Sequence, residues 1–343
     1  MVKLSPLASR RWQGFRSNRR GSIACVLFLL LFSVSLLSDI LANDRPLVVR
    51  TDDGWFFPVV ANYAETDFGG DFPTSPDYHD PYFTELVTGK NGWMLWPLIP
   101  YRYDTVVKTL DRPAPSPPSR NNWLGTDDQS RDVMARLLYG LRISILFGLA
   151  LTAVSSVIGI AAGAVQGYFG GLLDLGFQRF IEIWGGLPTL YLLIILSSIV
   201  TPNFWWLLGL LSLFSWMGLQ GVVRAEVLRT RNFDYVRAAR ALGAGDGIIL
   251  RRHILPNAMV ATITLMPFLM SSAMTVLTSL DFLGFGLPPG SPSLGELLAQ
   301  GKNNLQAPWL GITGFVVLSV LLSLLVFTGE AVRDAFDSRR GLR

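Results

Sequence analysis

Side chains able to make or break bonds are few and scattered in this chain. Its 343 residues hold one cysteine, Cys25, and two histidines, His79 and His253. An intrachain disulfide is therefore excluded, and so are the usual Cys/His zinc sites, which need three or four such ligands at fixed spacing. His79 lies between Asp77 and Asp80, but one imidazole with two nearby acids reads more simply as a surface loop than as a metal site. A nucleotide-binding P-loop needs Gly, four residues, then Gly-Lys and a hydroxyl for magnesium. Gly295 to Gly301-Lys302 has one residue too many, and Asn303 stands where the hydroxyl belongs. No His-Glu-x-x-His or Gly-x-Ser-x-Gly occurs, and Gly243-Ala244-Gly245-Asp246-Gly247 follows no strand. The residues describe a chain without its own catalytic centre.

One short basic segment has a different kind of potential. In Asn232-Phe233-Asp234-Tyr235-Val236-Arg237-Ala238-Ala239-Arg240-Ala241-Leu242-Gly243, the spacing predicts two helical turns from Tyr235 to Leu242. Asp234 would serve as N-cap and Gly243 as the left-handed stop. Asp246 can cap a second helix running towards Leu255, and Pro256 can open the element that follows. Ala238 and Ala239 make a low patch, with Tyr235 and Leu242 as apolar anchors. Such a unit suits a groove in a protein partner. It also suits anionic lipid headgroups, to which each Lys or Arg contributes about 1 kcal/mol near the surface. DNA is disfavoured, because each end of the segment is tied to a membrane span.

Those spans follow from composition. The chain is 50% hydrophobic and only 16% charged, against roughly 25% charged in soluble proteins. Ile183–Val223 is a run of 41 residues without a charge, and Asn303–Gly329 another of 27. A 41-residue helix would be about 60 Å long, twice the hydrocarbon core of a bilayer, so the first run must turn, and Thr201-Pro202-Asn203 supplies the turn. Six spans are expected: Ser22–Ser38, Ile143–Val165, Leu187–Val200, Phe204–Val223, Ala258–Leu280 and Trp309–Thr328. The first also has the outline of a signal peptide, with a basic segment before it and Ile40-Leu41-Ala42 after it. Arg179 and Glu182, three apart on one helix face, are expected to pair. Gly159, Gly163 and Gly167, four apart, predict close helix packing. Arg142, Asp174, Arg179, Glu182 and Asp281 fall at or beyond the estimated span ends, which disfavours an ion-coupled carrier with a charged site at mid-membrane.

Charge asymmetry orients the spans. Residues 1–21 carry Lys3, Arg10, Arg11, Arg16, Arg19 and Arg20 and no acid, and residues 223–257 carry seven arginines against Glu226, Asp234 and Asp246. Residues 39–136 have 15 Asp/Glu and 9 Lys/Arg, and Arg339, Arg340 and Arg343 close the chain. Both termini and the 224–257 loop are thus expected in the cytoplasm. The expected division is a basic N-terminus (1–21), a first transmembrane helix (22–41), an outer insertion and pre-helix segment (42–140), a transmembrane domain (141–334) and a tail (335–343). The insertion reads as loop-rich, with short pieces Leu47–Arg50 and Trp55–Val60 able to pair, and it closes on the polyproline-like Pro113–Pro118.

The segment Ala238-Ala239, three residues, Gly243, nine residues, then His253-Ile254-Leu255-Pro256 resembles the EAA loop of binding-protein-dependent ABC importer permeases. Arg237 replaces the leading Glu and His253 a typical Ile, as in the dipeptide/oligopeptide branch. Further stretches are similar to that branch: Asn122–Asp127, Arg131–Val133, Arg136–Ser144, Gly167-Tyr168-Phe169-Gly170-Gly171 with Asp174, and Leu283–Pro288 through Gly295-Glu296. Leu294 replaces a usual Trp there, and Asp281 an uncharged residue. Arg11–Gly21, Leu41–Asp44 and Pro46-Leu47 extend the resemblance to the peptide-importing members that carry the insertion.

The resemblance implies an all-α polytopic membrane protein of the type I ABC importer permease fold, with about six transmembrane helices. It implies a heterodimer with a second permease subunit, an ATPase subunit with two nucleotide-binding domains, and a periplasmic peptide-binding protein. No cofactor is implied and no nucleic acid. Oligopeptides, including the peptide-nucleotide antibiotic microcin C, would be the substrates, with dipeptides or nickel as the alternatives within the branch. The residues implied to couple to the ATPase are Asp234, Tyr235, Arg237, Ala238, Ala239, Leu242, Gly243, Leu255 and Pro256. The rival class is a membrane-anchored periplasmic binding or sensor protein, for which one or two spans would suffice.

Overall fold

The computed structural model describes residues 6–197 and 199–336; Lys3 and the arginines of the C-terminal tail lie outside the described residues. Helix α1 (Pro6–Ser17) stops at Asn18, whose side chain caps the first turn of α2 (Arg19–Leu36) by accepting from the Gly21 amide. A one-turn helix α3 (Ser38–Leu41) leads into the insertion. Strand β1 (Val48–Thr51) pairs antiparallel with both β2 (Gly54–Phe56) and, after helix α4 (Pro81–Gly89), β3 (Trp93–Leu95). The expected pairing of the 47–50 and 55–60 pieces is present. The third strand and the nine-residue α4, which the turn-rich composition hides, complete a small unit with its own aromatic core of Phe68, Tyr78 and Phe83.

After α2, the next helix of span length is α5 (Val133–Phe169), with 37 residues. It starts ten residues before the expected Ile143, because hydropathy registers only the part inside hydrocarbon while the helix continues beyond it. The third expected span is a correction. Instead of one helix over 187–200, the chain makes α6 (Gly171–Gly185) and α7 (Thr189–Ser197), bent by 60° at a break containing Gly186, Leu187 and Pro188. Proline removes a helical donor and disfavours helix at the residue before it, so the break falls there. Asn203 then caps α8 (Phe204–Thr230) through the Trp206 amide, in the turn expected at 201–203.

After α8 come α9 (Asp234–Ala241), the short α10 (Asp246–Ile248), a π-helical stretch (Ile249–Ile254) and α11 (Leu255–Leu283). The last three form one continuous 38-residue helix, so the expected second loop helix is the start of a span, not a separate element. Helix α12 (Leu294–Asn303) packs across α11 and α13 (Pro308–Phe336). Among the described residues five helices are long and apolar enough to cross a membrane, and there are six crossings if the bent pair is one span.

Helices α5 and α8 form the tightest pair in the bundle. A Cβ on Gly159, Gly163 or Gly167 would lie 2.8, 2.6 and 2.8 Å from the carbonyl oxygens of Trp216, Gln220 and Arg224. The four-residue spacing places these glycines on one face, as expected, and lets the two backbones touch. Arg11 stacks over the Phe336 ring at 4.4 Å, so both ends of the described chain lie at one end of the bundle. The insertion occupies the other.

Candidate functional site

At the end of the bundle away from the insertion, α9 stands on a buried foot. Val236 is 1% exposed and packs with Ala164, Tyr168, Val227, Ile249 and Ile254. One helical turn later Ala239 packs against the same cluster. The opposite face is open: Tyr235, Ala238 and Leu242 follow one another at spacings of three and four, and Leu242 is 88% exposed. The helix ends as expected. Gly243 has φ +83°, its amide donates to the Arg240 carbonyl (3.0 Å), and the Ala244 amide donates to Ala239 (3.1 Å). This paired bonding is the Schellman stop, and a residue without a Cβ adopts the required conformation without strain.

Two cap assignments need correction. Asp234 is the first helical residue of α9, and the N-cap is Phe233, with no side-chain cap bond. Asp246 is likewise the first residue of its helix after Gly245. Its carboxylate does not cap, because it accepts the Tyr168 hydroxyl of α5 at 2.5 Å. Arg237 is exposed and 4.0 Å from Asp234. Leu255 packs with the Val236 cluster, and Pro256 sits exposed in the first turn of α11. Tyr235 turns its hydroxyl towards the start of α11, where it accepts from Asn257 Nδ2 (2.6 Å) and lies 3.4 Å from the His253 carbonyl. All nine expected loop residues thus share one small body at the bundle end.

Tyr168, which lies in a stretch that carries the resemblance but had no role expected of it, and Arg231, not singled out from sequence, hold that body to α5. The Tyr168 hydroxyl accepts from Arg240 (3.2 Å) while donating to Asp246, and the bond to Tyr168 raises the Arg240 pKa. Arg231 donates to the carbonyls of Gly167 (3.0 Å) and Tyr168 (3.1 Å), the otherwise unpaired acceptors at the helix end. Alongside, Arg224 of α8 grips Asp174 of α6 with two bonds of 2.6 Å. Arg179 and Glu182 pair at 2.5 Å, as expected.

The insertion end is built differently. Arg136 is fully buried and donates to the carbonyls of Tyr103 (3.1 Å), Gly290 (3.3 Å) and Ser291 (2.9 Å) and to Glu296 (2.8 Å). Its Nε lies 3.3 Å from Asp127, which also takes Arg131 at 2.7 Å. Burial opposes the Arg131 charge, but Asp127 and Glu296 outweigh it and raise its pKa. Burial pushes Asp132 above the carboxylate range despite a bond from Asn122 (2.8 Å). Apart from Tyr103, each of these residues lies in a stretch that carried the family resemblance. No spacing rule, however, brings positions 165 residues apart together. Asp281, expected at or beyond a span end, sits in the last turn of α11, accepting from the Leu287 amide (2.8 Å) and the Ser293 hydroxyl.

His79 lies on a cleft of about 830 Å³ in the insertion, its ring stacked on Trp96 (4.5 Å) and Tyr101 (5.6 Å). Lys108, at 2.9 Å, holds the neighbouring Asp77 below the usual carboxylate range. Among the described residues no group of three or more His, Cys, Asp or Glu is placed to hold a metal ion.

A bundle of five or six apolar crossings among the described residues, with an exposed basic helical loop ending in Leu-Pro, defines a membrane permease subunit. Residues 155–341 match the family described as binding-protein-dependent transport system inner membrane component, and the chain belongs to that family. The inner membrane ABC transporter permease protein YejE of Escherichia coli (strain K12) is 60% identical over 342 residues, 100% of both chains. The peptidoglycan transport system permease protein YejE of Agrobacterium fabrum is 53% identical, covering 99% of this chain and 95% of its own. The oligopeptide transport system permease protein OppC of Lactococcus lactis is 34% identical over 66% of this chain and 79% of its own.

Proposed function

We propose that this chain is one of two permease subunits of an ATP-driven importer that moves oligopeptides, microcin C-like conjugates among them, across a bacterial inner membrane. Residues 141–334 form its half of the pore. Residues 1–21, 224–257 and 335–343 face the cytoplasm, where the loop docks on an ATPase with two nucleotide-binding domains. Residues 42–140 face the periplasm and meet the loaded peptide-binding protein, and the second permease completes a heterodimer.

The observation that carries this reading is α9 itself. A helix with a 1%-exposed foot at Val236 and an 88%-exposed Leu242 is held rigidly, yet it presents an apolar strip to solvent. Lipid headgroups would need no such rigid foot, and the Schellman stop at Gly243 gives the helix a fixed length. Docked in a cleft of the ATPase, α9 moves as a lever when the ATP sandwich closes, and the bundle passes from inward- to outward-facing. Such a shift requires differential affinity of the nucleotide states for the two conformations, which this contact supplies. The names of the relatives support the peptide class.

Reconstitution tests the proposal. The purified chain alone should neither hydrolyse ATP nor accumulate peptide. Both activities should arise when the ATPase, the second permease and the binding protein are added. Ion-gradient-driven uptake by the chain alone would overturn it.

A further inference from the structure

Besides α8, from which it follows directly and which packs along α5, the loop body has two structural exits into the bundle, and they differ mechanically. One is α11, to which Tyr235 is pinned through Asn257. The covalent route into α11 passes through the π-helical stretch Ile249–Ile254, and beyond Asn257 the helix contains Pro267. Both are places where helices bend, so a displacement entering there is absorbed locally. The other exit is α5, 37 residues long, with no proline between Val133 and Phe169 and an unbroken backbone ladder. From Tyr168 back to Arg136 the helix spans about 48 Å, more than a hydrocarbon core. Its near end is gripped by the loop on both sides of the Gly243 turn, by Arg240 and Asp246, through a single phenol oxygen. Its far end holds Tyr103 of the insertion, the Gly290-Ser291 turn and Glu296 of α12 through one buried guanidinium.

We infer that α5 is the connecting rod of the transporter, and that the Tyr168 hydroxyl is the positioning group through which movement of the ATPase-docked loop reaches the insertion and α12. This rests on the docking role proposed for α9. An axial or tilting motion of α5 carries Arg136 with it. Arg136 resists slipping against its partners, because the guanidinium is buried and breaking its bonds to four part-buried acceptors is costly. The insertion and the α12 hairpin therefore move together, on the face where a binding protein would sit.

The test uses the complete transporter in proteoliposomes, with Tyr168→Phe in this chain. The variant keeps the ring and its packing but loses both hydrogen bonds. Three measurements are made: ATPase copurification, peptide taken up per ATP hydrolysed, and hydrogen exchange of residues 101–131 and 285–296 with and without a nonhydrolysable ATP analogue. The expected result is an ATPase that still copurifies, a coupling ratio lowered about five- to tenfold, and loss of the nucleotide-dependent exchange change at the far end. Arg231→Gln, at the second grip on the same helix end, should give the same pattern more weakly. A wild-type coupling ratio and wild-type exchange response in Tyr168→Phe would overturn the rod while leaving the docking role intact. Loss of ATPase binding in that variant would also overturn it, by making Tyr168 part of the docking surface. Failure of the wild-type chain to bind the ATPase would instead overturn the docking role itself.

Discussion

The two ends of α5 solve opposite problems with the same kinds of residues. At the insertion end Arg131, Arg136, Asp127 and Glu296 are desolvated, multiply bonded and enclosed by three chain segments. At the loop end the charges are mostly exposed and a few hydrogen bonds join α9 to the helix. Buried ion pairs are expensive to assemble and more expensive to break singly, so the first arrangement locks a geometry. Exposed charges contribute little to stability and leave a surface free for another molecule. The contrast separates a joint built to stay shut from a surface built to be gripped.

The contrast can be broken most forcefully at Arg136. Arg136→Met should destabilise the fold by about 3–5 kcal/mol, because Asp127 and Glu296 keep only Arg131 as counter-charge and the carbonyls of Tyr103, Gly290 and Ser291 lose their donor. Arg237→Ala at the loop end should stay within about 0.5 kcal/mol. Thermal melts of the detergent-purified variants check both, and equal shifts would erase the distinction between the ends.

Between the ends, Gly163→Val would place a Cβ 2.6 Å from the Gln220 carbonyl oxygen, prising α5 from α8. A loss of about 1–3 kcal/mol is expected, visible in the same melts. Gly243→Val is the sharper test of the loop. The left-handed conformation costs about 1–2 kcal/mol with a Cβ, and the cost stays local. Uptake should fall while membrane insertion and the melt of the bundle change little; full uptake in a well-expressed variant would count against the lever.

The smallest effect concerns acid. Burial pushes Asp39 upward, but Arg142 (2.5 Å) and the Tyr139 hydroxyl (2.9 Å) outweigh it and hold its pKa below the ordinary value. A depressed carboxylate pKa contributes stability that is complete above the unfolded value near 4 and is lost as pH falls through the folded one. Melts of wild type from pH 6 towards pH 3 should therefore decline slightly more steeply than those of Asp39→Asn. The Asp39 side chain is half exposed, which keeps the difference small.

Much of the candidate site was legible because its signals are local. The Gly243 stop, the apolar anchors Tyr235 and Leu242, and the packing glycines at 159, 163 and 167 depend on neighbours within one or two helical turns. The caps at Asp234 and Asp246 were misread by one residue. A carboxylate near a helix start also has tertiary suitors, and Tyr168 took Asp246. The α6–α7 break was missed because hydropathy sums over a window and does not register the geometry of Gly186-Leu187-Pro188.

The chain's own composition determined that it lives in a bilayer and which segment ends in the left-handed turn. Desolvation and short-range backbone sterics act residue by residue, and the linear pattern records them. Only the folded molecule decided that Arg136 meets Glu296, that Tyr168 holds both limbs of the loop, and that α5 joins the two. Contacts between distant positions depend on the relative placement of whole helices, and a pattern of neighbours carries no measure of that.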